Sequence, residues 1–231
     1  MTLAFRRLAY ALGAEVAGFD FGRPMDDATF RQINDAFLEH HVLVFRGREI
    51  TREQHVRFSR RFGPPDLNTH RDPEKRIDGY PEFFLVVNKP SPGGGPALGR
   101  RAGEDWHIDN SQFPAAAAAS MLRAVAIPGI GGDTAFANMY RAYESLSDGM
   151  KKMLDGLEGV HFPGSAYVDK SVPFEEMRTR FGCAAHRLVR VHPETGRKTL
   201  YVNRQVRSIV GMTAAESQPL IEFLTEYATR P

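Results

Sequence analysis

Hydrophobic positions along this chain change period several times, and the changes predict a series of short strands interrupted by helices. From Ala14 to Phe21 apolar and small residues alternate loosely, as in a strand. Asp26 or Asp27 then offers an N-cap, and Phe30, Ile33, Phe37 and His40 recur at helical spacing, which predicts a surface helix to about residue 40. His41 to Phe45 is a short apolar, β-branched run. Thr51 with Gln54 forms a capping-box start for a second helix, buried through Phe58 and Phe62 and ended by Gly63-Pro64. Phe83 to Val87 predicts a buried strand, and the Pro, Gly and Ser of Lys89 to Gly103 predict an irregular loop.

Further on, Trp106-His107-Ile108-Asp109 fits an extended strand. Ala115 to Ala119 has high helix propensity but no cap, and it runs into Met121 to Pro128, which alternates as a strand does. Gly129 to Asp133 predicts a turn and Thr134 to Met139 a strand. Helices are expected from Tyr140 and from Ser147, with Met150, Met153, Leu154 and Leu157 on one face. Glu158 to Phe162 and His186 to His192 alternate again, and Pro193-Glu194-Thr195-Gly196 supplies a hairpin turn before Leu200-Tyr201-Val202. For the last helix Ser217 is the expected cap, because a start at Thr213 would put Pro219 beyond the first turn.

Composition narrows the field only modestly. At 231 residues one domain is the expectation, and 42% hydrophobic content, 25% charged content and a net charge of +2 suit an ordinary soluble protein. Basic and acidic residues are interleaved, which argues against a nucleic-acid partner. The single Cys183 excludes an internal disulfide and a thiolate metal cluster, so nitrogen and oxygen ligands remain for any metal. No segment reads as a secretory leader, and none approaches the roughly 20 apolar residues that a bilayer requires. A cytoplasmic protein without membrane attachment is expected.

The pattern H-x-[D/E] occurs three times, as His70-x-Asp72, His107-x-Asp109 and His192-x-Glu194. The first precedes a proline in a polar loop and the last spans His-Pro at a turn. Only the middle pair lies on a predicted strand, where alternate side chains point the same way and aim an imidazole and a carboxylate at one place. That is two-thirds of a 2-His-1-carboxylate iron(II) site; its rival is a hydrogen-bonded surface pair. No histidine follows His192 to supply a late third ligand.

Several separated segments carry a resemblance: Leu12-Gly13-Ala14-Glu15-Val16, His41-Val42-Leu43-Val44-Phe45-Arg46, Arg61-Phe62-Gly63, Trp106-His107-Ile108-Asp109, Gly131-Gly132-Asp133-Thr134, and His192-Pro193-Glu194-Thr195-Gly196-Arg197 leading to Tyr201-Val202-Asn203. In order and spacing they resemble the taurine and phenoxyacetate dioxygenase family of iron(II)/2-oxoglutarate oxygenases, from about Leu12 almost to the last residue. The resemblance implies a mixed α/β, mainly β fold: a double-stranded β-helix, or jelly roll, with flanking helices. It implies one oxygenase domain over residues 1–231, incomplete at its C-terminus, because the family's second histidine and its 2-oxoglutarate-binding arginine lie after a helix like the one ending near Pro231.

By position, the resemblance makes His107 and Asp109 the metal ligands and Thr134 a contact to a 2-oxoglutarate carboxylate, with ordinary turn chemistry as the rival for Thr134. Substrate-binding candidates are His70, Asn110 and Ser111; an exposed loop histidine is the rival for His70. The implied cofactors are Fe(II) and the cosubstrate 2-oxoglutarate. The implied reaction uses dioxygen to hydroxylate a small organic acid of sulfonate, alkyl sulfate or aryloxyalkanoate type, releasing succinate and CO2. A homo-oligomer is compatible with the resemblance. Two further readings stay open on the same fold, a catalytically incomplete fragment and a non-catalytic organic-acid-binding protein.

Overall fold

The computed structural model describes residues 2–47, 49–67, 76–86, 105–163, 176, 179 and 182–230, and these divide into two compact units. The first holds the chain to Phe84 together with Met121–Arg123. Strand β1 (Ala4–Arg7) pairs antiparallel with β2 (Ala14–Ala17), and β2 pairs in parallel with β3 (Leu43–Val44). Between β2 and β3 runs helix α1 (Asp27–His40). The Asp26 carboxylate accepts from the Thr29 N–H to start it, and His41, in the left-handed region at φ 65°, ends it.

Helix α2 (Arg52–Ser59) begins with the predicted capping box, Thr51 and Gln54 satisfying each other's backbone N–H, and tightens into a 3-10 turn at Arg60–Phe62. Together these elements bury Val16, Phe19, Ile33 and Phe58, with Phe21, Phe45 and Phe62 packed against them. The rings meet edge to face, Phe19 and Phe21 at 4.8 Å between centroids, the arrangement that aromatic quadrupoles favour. A small hairpin, β4 (Arg76–Ile77) with β5 (Tyr80–Phe84), completes this unit. The expected strand at Phe83 to Val87 is therefore shifted towards the N-terminus; Leu85 and Val86 follow it, exposed, and Val87 lies outside the described residues.

The second unit is built around a three-stranded antiparallel sheet. Its central strand β6 (Glu158–His161) is flanked by β7 (Ala184–Arg187) and β10 (Val206–Ile209). A hairpin of β8 (Val189–Val191) and β9 (Lys198–Leu200) turns through the predicted Pro-Glu-Thr-Gly. Helices α3 (Met139–Glu144), α4 (Asp148–Leu154) and α5 (Ala214–Ala228) contribute to one core that fully buries Leu154, Leu188, Leu200, Ile209 and Leu224. Met153, expected on the apolar face of α4, is instead 49% exposed. Gly159 lies where a Cβ would come within 2.8 Å of Val206 and 2.9 Å of Leu188, so β6 packs this tightly only without a side chain there.

Helix α5 corrects the expected cap. It starts at Thr213, whose side chain and Glu216 close a full capping box, and Pro219 sits inside the helix. Ser217 is buried instead, its hydroxyl donating to the Thr213 carbonyl at 2.8 Å and accepting the Ile209 N–H at 2.9 Å. The one backbone bond that Pro219 forgoes is offset by this network and by burial of Ile221, Leu224 and Ala228.

The main departure from the sequence reading lies over residues 105–138, where no strand or helix forms. Trp106 to Asp109, Met121 to Pro128 and Thr134 to Met139 were each expected as strands and are irregular; Met139 instead opens α3. No described strand lies alongside to complete a hydrogen-bond ladder, and alternation without a partner does not make a strand.

Candidate metal centre

His107 and Asp109 come together despite the missing strand. His107 Nε2 lies 3.3 Å from Asp109 Oδ1, and both side chains are partly open to solvent, at 38% and 47% exposure. The other imidazole nitrogen, Nδ1, is 2.8 Å from the Asp105 carbonyl oxygen. A carbonyl can only accept, so Nδ1 donates, and the neutral ring carries its lone pair on Nε2, facing the carboxylate. The second carboxylate oxygen, Oδ2, accepts the Ser120 hydroxyl at 2.6 Å, which leaves Oδ1 turned towards His107.

Two lone-pair donors this close need positive charge between them. When that charge is a proton, the hydrogen bond to Asp109 raises the His107 pKa above its ordinary range, partial burial opposing. A divalent cation answers the same need: ligands at about 2.1 Å placed roughly at right angles on one metal stand about 3 Å apart. The donor set therefore fits a metal, with both outward hydrogen bonds of the kind that orient ligands. Among the described residues no group of three or more His, Cys, Asp or Glu side chains is placed to bind a metal, so the pair provides two coordination points.

Backbone contacts fix the stretch that carries the pair. Arg204 N–H donates to the Trp106 carbonyl at 3.3 Å, ahead of the His107–Asp109 pair. After them Asn110 adopts φ 56°, and the chain closes on itself through Ser111 N–H to the Ile108 carbonyl and Phe113 N–H to the Asn110 carbonyl. Ser111 is fully buried and donates its hydroxyl to Gln205 at 3.0 Å. His186 Nε2 reaches the Ser111 and Phe113 carbonyls at 2.9 and 3.0 Å.

The other sequence candidates are dispersed. Thr134 is exposed, two residues after Gly132, with no hydrogen bond to a described residue. Asn110 is half-buried beside Asp109, and Ser111 points inward rather than to solvent. His70 lies outside the described residues, as does the first H-x-D motif. The third motif is a turn: His192 Nδ1 accepts the N–H groups of Glu194 and Thr195 at 3.3 and 3.4 Å. Sequence reasoning missed Ser120 and His186. Nothing local marks Ser120; an imidazole at an inward position of β7, between Ala184 and Leu188, is a signal that could have found His186.

Comparison with known proteins places these features in a wider setting. The family described as "Taurine catabolism dioxygenase TauD, TfdA family" matches residues 4–231. An (S)-phenoxypropionate/alpha-ketoglutarate-dioxygenase of Sphingobium herbicidovorans is 30% identical over 233 residues, covering 95% of this chain and 77% of that protein. An alkylsulfatase of Acinetobacter baylyi is 32% identical over 239 residues, covering 99% and 72%. Among solved structures, a taurine dioxygenase from Burkholderia xenovorans superposes with a TM-score of 0.77 at 36% identity, covering 99% of this chain and 74% of that one.

Proposed function

Because this chain belongs to the TauD, TfdA family, whose members are iron(II)- and 2-oxoglutarate-dependent dioxygenases of jelly-roll fold, we propose that it hydroxylates a small organic acid with His107 and Asp109 as iron ligands. The substrate class follows from its relatives, which act on a phenoxypropionate, on alkyl sulfates and on taurine, a sulfonate. All three are small anions with a carbon next to the heteroatom to be released. Succinate and CO2 are the accompanying products. One observation carries the ligand assignment: His107 Nε2 and Asp109 Oδ1, 3.3 Å apart, each with its other polar atom already hydrogen-bonded elsewhere.

Iron(II), bound together with 2-oxoglutarate, supplies the activation of dioxygen. The chain's own residues supply the rest. Asp105 holds the proton on Nδ1 of His107, so the Nε2 lone pair would be the one offered to iron; Ser120 occupies Asp109 Oδ2, so Oδ1 would be the oxygen offered beside it. The Asp109 carboxylate offsets one of the two positive charges. Thr134, with its hydroxyl uncommitted, is the candidate to receive a carboxylate of 2-oxoglutarate, and Asn110 is positioned by sequence to meet substrate next to the metal. In this reading Ser111 acts from behind, through Gln205.

The direct test is iron(II)-dependent succinate release from 2-oxoglutarate, measured across aryloxyalkanoates, alkyl sulfates and sulfonates. His107→Ala is expected to fall to background with every substrate. Equal release by the variant and the unaltered protein would remove the ligand role.

A further inference from the structure

We infer that His186 is a positioning residue for the iron ligands: it clamps the turn after Asp109 onto the β6–β7–β10 sheet through one N–H shared between two backbone carbonyls. This rests on the reading of His107 and Asp109 as ligands. Carbonyl oxygens only accept, so the nitrogen 2.9 Å from Ser111 O and 3.0 Å from Phe113 O must carry a proton. The stretch that carries these carbonyls is irregular, and the buried imidazole ties it to β7.

The ring is fixed by what surrounds it. His161 and Tyr201 meet it edge to face at 5.2 and 5.3 Å between centroids, and the Arg190 guanidinium lies 4.5 Å over the Tyr201 ring. Among the described residues the fully buried His161 ring has no side-chain hydrogen-bond partner, and it packs against His186 by its edge. From the clamp to the ligand the path is short. Phe113 is tied to Asn110 and Ser111 to Ile108, so movement of either clamped carbonyl is passed to Asp109. With Arg204 holding Trp106 on the other side, the two ligands are bracketed at both ends.

The clamp is tested in the protein as expressed from its own reading frame. Two variants keep the ring's volume filled: His186→Gln retains an N–H donor, and His186→Met does not. Co(II) affinity is read from its visible absorption, and backbone hydrogen–deuterium exchange is followed over residues 105–114. The Gln variant should bind Co(II) within about threefold of the unaltered protein. The Met variant should bind about 10- to 100-fold more weakly, the usual range for losing a group that supports a metal ligand, with exchange accelerated chiefly over residues 105–114. Normal binding by the Met variant, equal losses in both variants, protection lost evenly across β6, β7 and β10, or failure of both variants to fold would each overturn the clamp. His107→Ala separates the two ideas. If it binds Co(II) normally, the ligand assignment falls and the clamp with it. If it loses binding while His186→Met keeps it, only the clamp falls.

Discussion

Glu158 to His161 and Met121 to Ile127 both carry a pattern expected of a strand, yet only the first is one. In β6 every backbone edge has a neighbour: β7 on one side, β10 on the other, with Gly159 allowing Leu188 and Val206 to close over it. In the second stretch Leu122, Val125 and Ile127 are 70%, 80% and 76% exposed. Alternation says which face a strand would bury. Hydrogen-bonded neighbours decide whether there is a strand at all.

That contrast can be broken by substitution. Leu224→Ala, in the core beneath the sheet, should cost about 2–5 kcal/mol in denaturant unfolding, as for other fully buried leucines. A cost near zero would mean that this core does not hold the second unit together. Acid should come next. Burial first, then the nearby charges of His186 and Arg190, pushes the His161 pKa down to about 3, against 6.5 for a free histidine. Above about pH 6.5 both the folded and unfolded forms are neutral there and nothing is lost. As pH falls below that, the unfolded chain takes up a proton that the folded one refuses, so stability drops by up to about 1.4 kcal/mol per pH unit towards about pH 3. A His161→Leu variant, compared by urea midpoint at about pH 7 and about pH 4, should lose less on acidification than the unaltered protein; equal losses would count against a neutral buried His161.

Thr213→Ala removes the cap of α5 and should cost about 1 kcal/mol, read as a lowered melting temperature. No change would favour a helix that starts later, near Ser217. Ile130→Ser is the smallest effect. That side chain is 96% exposed, and its replacement should shift stability by less than about 0.5 kcal/mol. A larger loss would show that the irregular stretch is packed after all.

Local signals were legible where their physics is local. The Thr51–Gln54 box, the Asp26 cap, the helix start at Ser147 and the hairpin turn at Pro193–Gly196 form as written, because each is satisfied within a few residues. The capping box at Thr213 was legible too, but Pro219 argued against it; the buried Ser217 network and the apolar face of α5 decided the start, and neither can be read from the helix alone. At Ala115 to Ala119 the missing cap outweighed the helix propensity, and no helix forms there; the extended run expected instead is irregular.

By itself the sequence determined the pair of chemical groups. One residue separates His107 from Asp109, and in this irregular stretch their donor atoms come within 3.3 Å of each other. Composition had already reduced the choice of ligand atoms to nitrogen and oxygen. Tertiary structure alone decided which imidazole nitrogen keeps its lone pair, which carboxylate oxygen faces it, and what holds the turn. Asp105 is a near neighbour of the pair, but Ser120, Arg204, Gln205 and His186 are brought in from elsewhere along the chain. The reason is physical: a hydrogen bond constrains atoms that are close in space, and for an irregular segment the chain's own periodicity does not say which atoms those will be.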